Sequence, residues 1–280
     1  MNWRIGNRTL DLTQRGLVMG IVNVTPDSFS DGGRFDDPGR AVEHALALIA
    51  EGADILDIGG ESTRPGAEPV AEAEELRRVL PVIRAIRASQ SSVLISIDTM
   101  KAAVARAALD AGADIINDVT GLRGDAGMIR LAAERDCGLV VMHMAGDPQT
   151  MQTAPHYDDV VAEVRAYLEE RLRILTSAGI DPARIALDPG FGFGKTLEHN
   201  LALLRELPRL VIDGRPLLAG VSRKSMIAKV IGSAAMSDRH WPTVALTAFA
   251  REHGARIIRV HDVRPNREAL RMMEAILGRV

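Results

Sequence analysis

L-D-P-G-F-G-F-G-K-T, residues 187 to 196, follows an apolar run and precedes a helical pattern. Its G-K-T ending suggests a nucleotide-binding P-loop, in which G-x-x-x-x-G-K-[ST] lets backbone amides wrap a phosphate. Counting back from Gly194 puts the first glycine of that motif at position 189, where Pro189 stands, so the loop is one residue too short. The competing reading is a strand that ends at Asp188, a sharp glycine turn that carries Phe193, and a helix started by Lys195 and Thr196. Which of the two holds depends on the segments around it.

Outward from this stretch, short β-rich runs alternate with helical patterns. The runs read as strands cover residues 17–23, 54–58, 93–98, 114–118, 139–143, 184–188, 216–221 and 256–261. Helical periodicity covers 38–51, 71–88, 101–111, 127–135, 160–177, 197–205, 243–253 and 266–277. The strands are nearly continuous apolar runs, as parallel strands covered on both faces require. Glycines at 52, 112 and 254 stand where helix C-caps feed the next strand. About eight βα units predict an α/β fold, a (β/α)8 TIM barrel. Residues 3–10 alternate around Gly6-Asn7 and predict an N-terminal hairpin that plugs one end. Neither a linker nor a composition shift divides residues 1–280, so a single domain is expected.

Composition narrows the function. The chain has 280 residues, 46% of them hydrophobic, enough for a full core, and a formal net charge of −3. That balance argues against nucleic acid as a main partner. Cys137 is the one cysteine, which rules out an intrachain disulfide framework and a thiolate metal cluster. With no signal-peptide pattern and no membrane-length apolar run, the expectation is a cytoplasmic protein without a membrane partner. None of the seven histidines forms an H-x-x-x-H set, so a zinc hydrolase is not indicated.

Almost every expected strand ends in a polar residue: Asn23, Asp98, Asn117-Asp118, His143, Asp188, Ser222-Arg223 and His261. A packed barrel has no need of so many, and their common end is the C-terminal mouth, where such barrels hold ligands. Asn117 and Asp118 point to opposite faces, so only one of them meets the barrel axis. His143, between two methionines, reads as structural. Arg64, Arg223, Lys224, Arg259 and His261 suit a phosphate or diphosphate. Asn23 and Asp31 are oxygen ligands of the kind that share Mg²⁺ with phosphates. Asp98 and Asp188 suit a ligand edge with several N–H donors, such as the 2-amino-4-oxo edge of a pterin or guanine. Ser225, before an apolar helical turn, reads as an N-cap. The long loops 24–37 and 59–70 lie on the mouth side, and loops of that length are commonly functional.

These segments resemble dihydropteroate synthases over essentially the whole chain. The resemblance rests on M-G-I-V-N-V-T-P-D-S-F-S-D-G-G at 19–33, D-I-G-G-E-S-T-R-P-G-A at 57–67, I-S-I-D-T at 95–99, I-I-N-D-V at 115–119, V-M-H-M at 141–144, L-D-P-G-F-G-F-G-K at 187–195, S-R-K-S at 222–225 and R-V-H-D-V at 259–263. It implies a transferase of folate biosynthesis that joins 6-hydroxymethyl-7,8-dihydropterin diphosphate to 4-aminobenzoate and releases diphosphate. It further implies that Asp98, Asn117, Asp188 and Lys224 hold the pterin, walled by Met142, Phe193 and Gly220. Arg259, His261 and Asn23 would take the diphosphate, with Mg²⁺ on Asn23 and Asp31. Thr63, Arg64 and Pro65 would come from the second loop, and Phe29, Pro65, Lys224 and Ser225 would receive 4-aminobenzoate, a pocket open to sulfonamides. A homodimer is expected. Two rival readings are a pterin-dependent methyltransferase domain, which has no use for the S-T-R-P loop or the R-V-H segment, and a non-catalytic pterin-binding paralogue.

Overall fold

A computed structural model of the chain describes residues 1–25, 38–63, 66–90, 92–146 and 150–279. Strands β1 (Asn2–Ile5) and β2 (Arg8–Asp11) form the antiparallel hairpin. The βα repeat then runs β3 (Leu17–Asn23), α1 (Pro38–Ala50), β4 (Ile55–Gly59), α2 (Glu72–Ser89), β5 (Leu94–Asp98), α3 (Ala102–Asp110), β6 (Ile115–Asp118) and α4 (Met128–Glu134). It continues through β7 (Gly138–Met142), α5 (Val160–Ser177), β8 (Ile185–Asp188), α6 (Leu197–Arg205), β9 (Leu217–Ala219), α7 (Ser225–Ile231), α8 (His240–Glu252), β10 (Ala255–Val260) and α9 (Val263–Ile276). Strands β3 to β10 close a parallel barrel in chain order, with β10 pairing β3. This is the (β/α)8 barrel with its N-terminal hairpin.

Each barrel strand lies within two residues of its expected bounds. The last two long helices differ more, since α8 and α9 each begin three residues early. Their expected starts fell just after Pro242 and Pro265. A proline in the first helical turn breaks no hydrogen bond, because the amides there have no intrahelical acceptor.

The period-2 alternation of the strands sorts their side chains into two cores. Outward residues such as Val22, Leu56, Ile58, Ile95, Ile97, Val141, Leu187 and Ile258 pack against the helices. Inward residues Leu17, Met19, Ile55, Leu94, Ile115, Val140, Ala186, Leu218 and Ile257 fill the lower lumen together with Trp3, Ile5 and Leu12 of the hairpin segment. Trp3 is fully buried, and its Nε1 donates to the carbonyl of Arg184 at 2.9 Å. The hairpin is therefore the floor of the barrel. With the floor sealed by apolar side chains, the next inward positions are those that line the mouth.

Candidate active site

Counting by two from the floor residues identifies the inward ring at the mouth. From Ile55 the count reaches Asp57; from Leu94, Asp98; from Ile115, Asn117; from Val140, Met142. From Ala186 it reaches Asp188, from Leu218 it reaches Gly220, and from Ile257 it reaches Arg259 and His261. Direct contacts across the lumen agree with this count. Arg259 Nε donates to Asp57 Oδ2 at 2.6 Å, and its Nη2 donates to Asp98 Oδ2 at 2.8 Å. Asn117 Nδ2 donates to the same Asp57 oxygen at 3.0 Å. Asp118 faces outward instead, where its carboxylate accepts from the amide and hydroxyl of Thr120.

Asp57, Asp98, Asn117 and Asp188 are all buried. Burial pushes Asp98 up to about 7; Arg259 pulls it back, and Asp57 adds to the rise. Burial alone would lower Arg259, but Asp57 and Asp98 more than offset it and keep the guanidinium charged. Burial likewise raises Asp188 to about 6, opposed by the Gly190 amide and by Lys224 and Arg259. That amide donates to Asp188 Oδ1 at 2.7 Å. At Gly220, a side chain would begin 3.9 Å from Asp188 Oδ2, in van der Waals contact with that carboxylate.

The loop that follows β8 turns through Gly190, Gly192 and Gly194, all with positive φ. At Gly190 a Cβ would collide with the carbonyl oxygen of His143, so only glycine fits there. The turn brings the Phe193 ring under Lys224, whose Nζ lies 4.1 Å from the ring centroid. Phe193 packs on a methionine-rich cluster of Val119, Met142, Met144 and Met151.

His261 is anchored by its ring, with Nδ1 2.9 Å from Ser222 Oγ. Asn23 closes β3, half-buried, in register with Gly59 of β4. Thr63 is half-buried in the loop after β4. The foot of that loop is tied down, since Glu61 and the fully buried Glu75 both accept from Lys101 Nζ. Phe29, Asp31, Arg64 and Pro65 lie outside the described residues.

Three expectations change. Lys224, not Ser225, is the N-cap of α7, and Ser225 is its first helical residue. Arg223 is no general cation of the mouth: its guanidinium is paired with Asp262, Nη2 to Oδ1 at 2.6 Å. Lys195 does not simply start a helix. Thr196 caps α6, in a capping box with His199, whereas Lys195 is buried beneath the glycine turn. Asp57 was missed because the acid stands inside its strand and not at the end. An acidic residue within the otherwise apolar I-L-D-I-G was the available signal.

A sealed barrel with an acidic, amide-bearing ring around one arginine defines a class, and comparison names it. The family described as pterin binding enzyme matches residues 19–261, and the chain belongs to that family. Within it the resemblance is to dihydropteroate synthases, which are transferases. The chain is 50% identical to the dihydropteroate synthase of Escherichia coli K12, over 93% of this chain and 92% of that one. The dihydropteroate synthase of Xanthomonas albilineans with 4-aminobenzoic acid superposes with a TM-score of 0.92 at 48% identity, covering 99% of each chain. That of Yersinia pestis in a sulfonamide drug complex gives 0.93 at 44% identity, over 99% of this chain and 100% of the other. The function is that of a dihydropteroate synthase, and the methyltransferase reading is set aside.

Proposed function

We propose that the protein joins 6-hydroxymethyl-7,8-dihydropterin diphosphate to 4-aminobenzoate at this mouth, with Asp98, Asn117 and Asp188 holding the pterin. The observation that supports this best is the convergence of Asp57, Asp98 and Arg259 from three strands within the lumen, with Asn117 bonded into the group. Carboxylates and an amide offer the acceptors and donors that a 2-amino-4-oxo edge pairs with. Met142, Phe193 and Gly220 would wall the flat ring, and Lys224 would bond its heteroatoms.

The chemistry follows from charge. The bond from the exocyclic carbon to the diphosphate oxygen breaks, and its electron pair leaves with diphosphate. Arg259 and His261 would take that growing negative charge. The carbon keeps a cation shared with the pterin ring, which the Asp98 carboxylate would stabilise. The aniline nitrogen of 4-aminobenzoate forms the new bond and releases one proton. Lys224 and Ser225, with Thr63, Arg64, Pro65 and Phe29 from the two loops, would orient it, since a weak nucleophile depends on placement. No protein nucleophile is required.

A divalent cation fits the donor set in part. Among the described residues no three His, Cys, Asp or Glu side chains could together hold a metal. Asn23 supplies one neutral oxygen at the end of β3, and Mg²⁺ characteristically keeps waters and shares phosphates with only one or two protein ligands. We therefore propose that Asn23 and Asp31 hold Mg²⁺, which would neutralise the leaving diphosphate.

The proposed homodimer is supported by exposed apolar side chains, Val230 and Ile231 on α7, Met236 after it and Trp241 on α8. Light scattering should give twice the chain mass, and a monomer at micromolar concentration would contradict it. The proposed compartment is the cytoplasm, supported by a single free, buried cysteine, Cys137. Purified protein given both substrates and Mg²⁺ should form 7,8-dihydropteroate, and sulfonamides should compete with 4-aminobenzoate. A non-catalytic paralogue would bind the pterin and form no product.

A further inference from the structure

Lys195 is a buried basic group that the reaction does not use. It is 3% exposed. Its Nζ lies 2.9 Å from the carbonyl oxygen of Gly190, 3.0 Å from that of Phe193 and 2.9 Å from His143 Nδ1. An ammonium has three protons, and all three are used here, which is what makes a buried one tolerable. His143 can serve as acceptor because burial, with Lys195 and Arg123 adding, lowers it to about 3 and keeps its ring neutral. Burial also lowers Lys195, to about 7. A neutral amine would still donate to both carbonyls while accepting from a protonated Nδ1, so the three contacts survive either charge state.

The contacts lead to the ligand-facing wall. The Gly190 amide holds Asp188 Oδ1, and the His143 amide donates to the Asp188 carbonyl at 3.0 Å. Phe193 carries the ring beneath Lys224. Other side chains grip the outside of the same turn: Gln152 donates to the Gly192 carbonyl, and Tyr157 to that of Gly194. Lys195 alone among them reaches beneath it, tying the Gly190 and Phe193 carbonyls to His143, the residue that follows β7.

We infer that Lys195 is a positioning residue for pterin binding, a strap under the glycine turn that fixes Asp188 and Phe193 without touching the ligand. The inference rests on the proposed placement of the pterin. Lys195→Met keeps the stem and removes the three donors. In folded variant protein, the pterin Kd by calorimetry and the KM for the pterin diphosphate should both rise about tenfold, the effect of roughly one lost polar interaction. The KM for 4-aminobenzoate should stay within about twofold, a change too small to signal a lost contact. Lys195→Gln keeps two donors and should fall between the two proteins; it carries the same measurements if Lys195→Met does not fold. An unchanged pterin Kd in a folded variant overturns the inference, and so does an equal rise in both KM values, the mark of a general structural fault. Wild-type protein that binds no pterin would overturn the site reading and the inference with it.

Discussion

Arg259 Nη2 on the last strand lies 2.8 Å from Asp98 on β5, across the lumen, while its Nε, on the same edge of the guanidinium, lies 2.6 Å from Asp57 on β4. One guanidinium thus serves two buried carboxylates.

Arg259→Met should be costly to stability as well as activity. It strands two buried carboxylates, and breaking a buried pair typically costs about 3–5 kcal/mol. Urea unfolding should register a loss of that order. Adding Asp57→Asn should recover part of the stability and none of the activity. Wild-type stability in the single variant would show that the pairs do not form.

Asp57→Asn tests a residue with no assigned ligand contact. The variant keeps an acceptor for Arg259 but loses the charge, and charge-assisted hydrogen bonds are about twice as strong as neutral ones. Turnover should fall about tenfold, equivalent to roughly 1.4 kcal/mol, with the KM for 4-aminobenzoate unchanged. Unaltered turnover would remove Asp57 from the account.

Asp188 predicts a pH signature. Its folded pKa is raised, from 3.8 to about 6, so the ionised form is the one the fold disfavours. That penalty is full above about 6 and fades as pH falls through 6 toward the unfolded value. Asp188→Asn should therefore melt higher than the parent at alkaline pH, with the gap closing on acidification. A gap independent of pH would contradict the buried, ionised carboxylate.

Lys101→Met should loosen the loop after β4. It leaves Glu61 and the buried Glu75 without their cation, an expected loss of about 3 kcal/mol. The KM for 4-aminobenzoate should rise more than that for the pterin diphosphate, because Thr63 and the S-T-R-P segment sit on that loop. Equal effects on both substrates would deny the loop its separate role.

Much of the site was legible in sequence because strand ends announce themselves. Asp98, Asn117, Asp188, Arg259 and His261 each break an apolar run at its C-terminal end, and period-2 alternation decides which of Asn117 and Asp118 faces the axis. Asp57 escaped because it lies two residues short of the end of its strand, where only the closed barrel shows that Arg259, two strands away, meets it. Lys195 was misread for a related reason. A lysine beside a helix start reads as part of that start until the glycine turn folds over it. Arg223 looked available until Asp262, distant in sequence, was found beside it. Local pattern reports which way a side chain points, and closure of the barrel decides what it meets.

The placement of the pterin against the acidic ring is tested most directly by titrating 6-hydroxymethylpterin into wild-type and Asp188→Ala protein by calorimetry. The account predicts a loss of roughly 1.5–3 kcal/mol, the value of a hydrogen bond to a charged group, in a variant that remains folded. Equal affinity in the two proteins would contradict it.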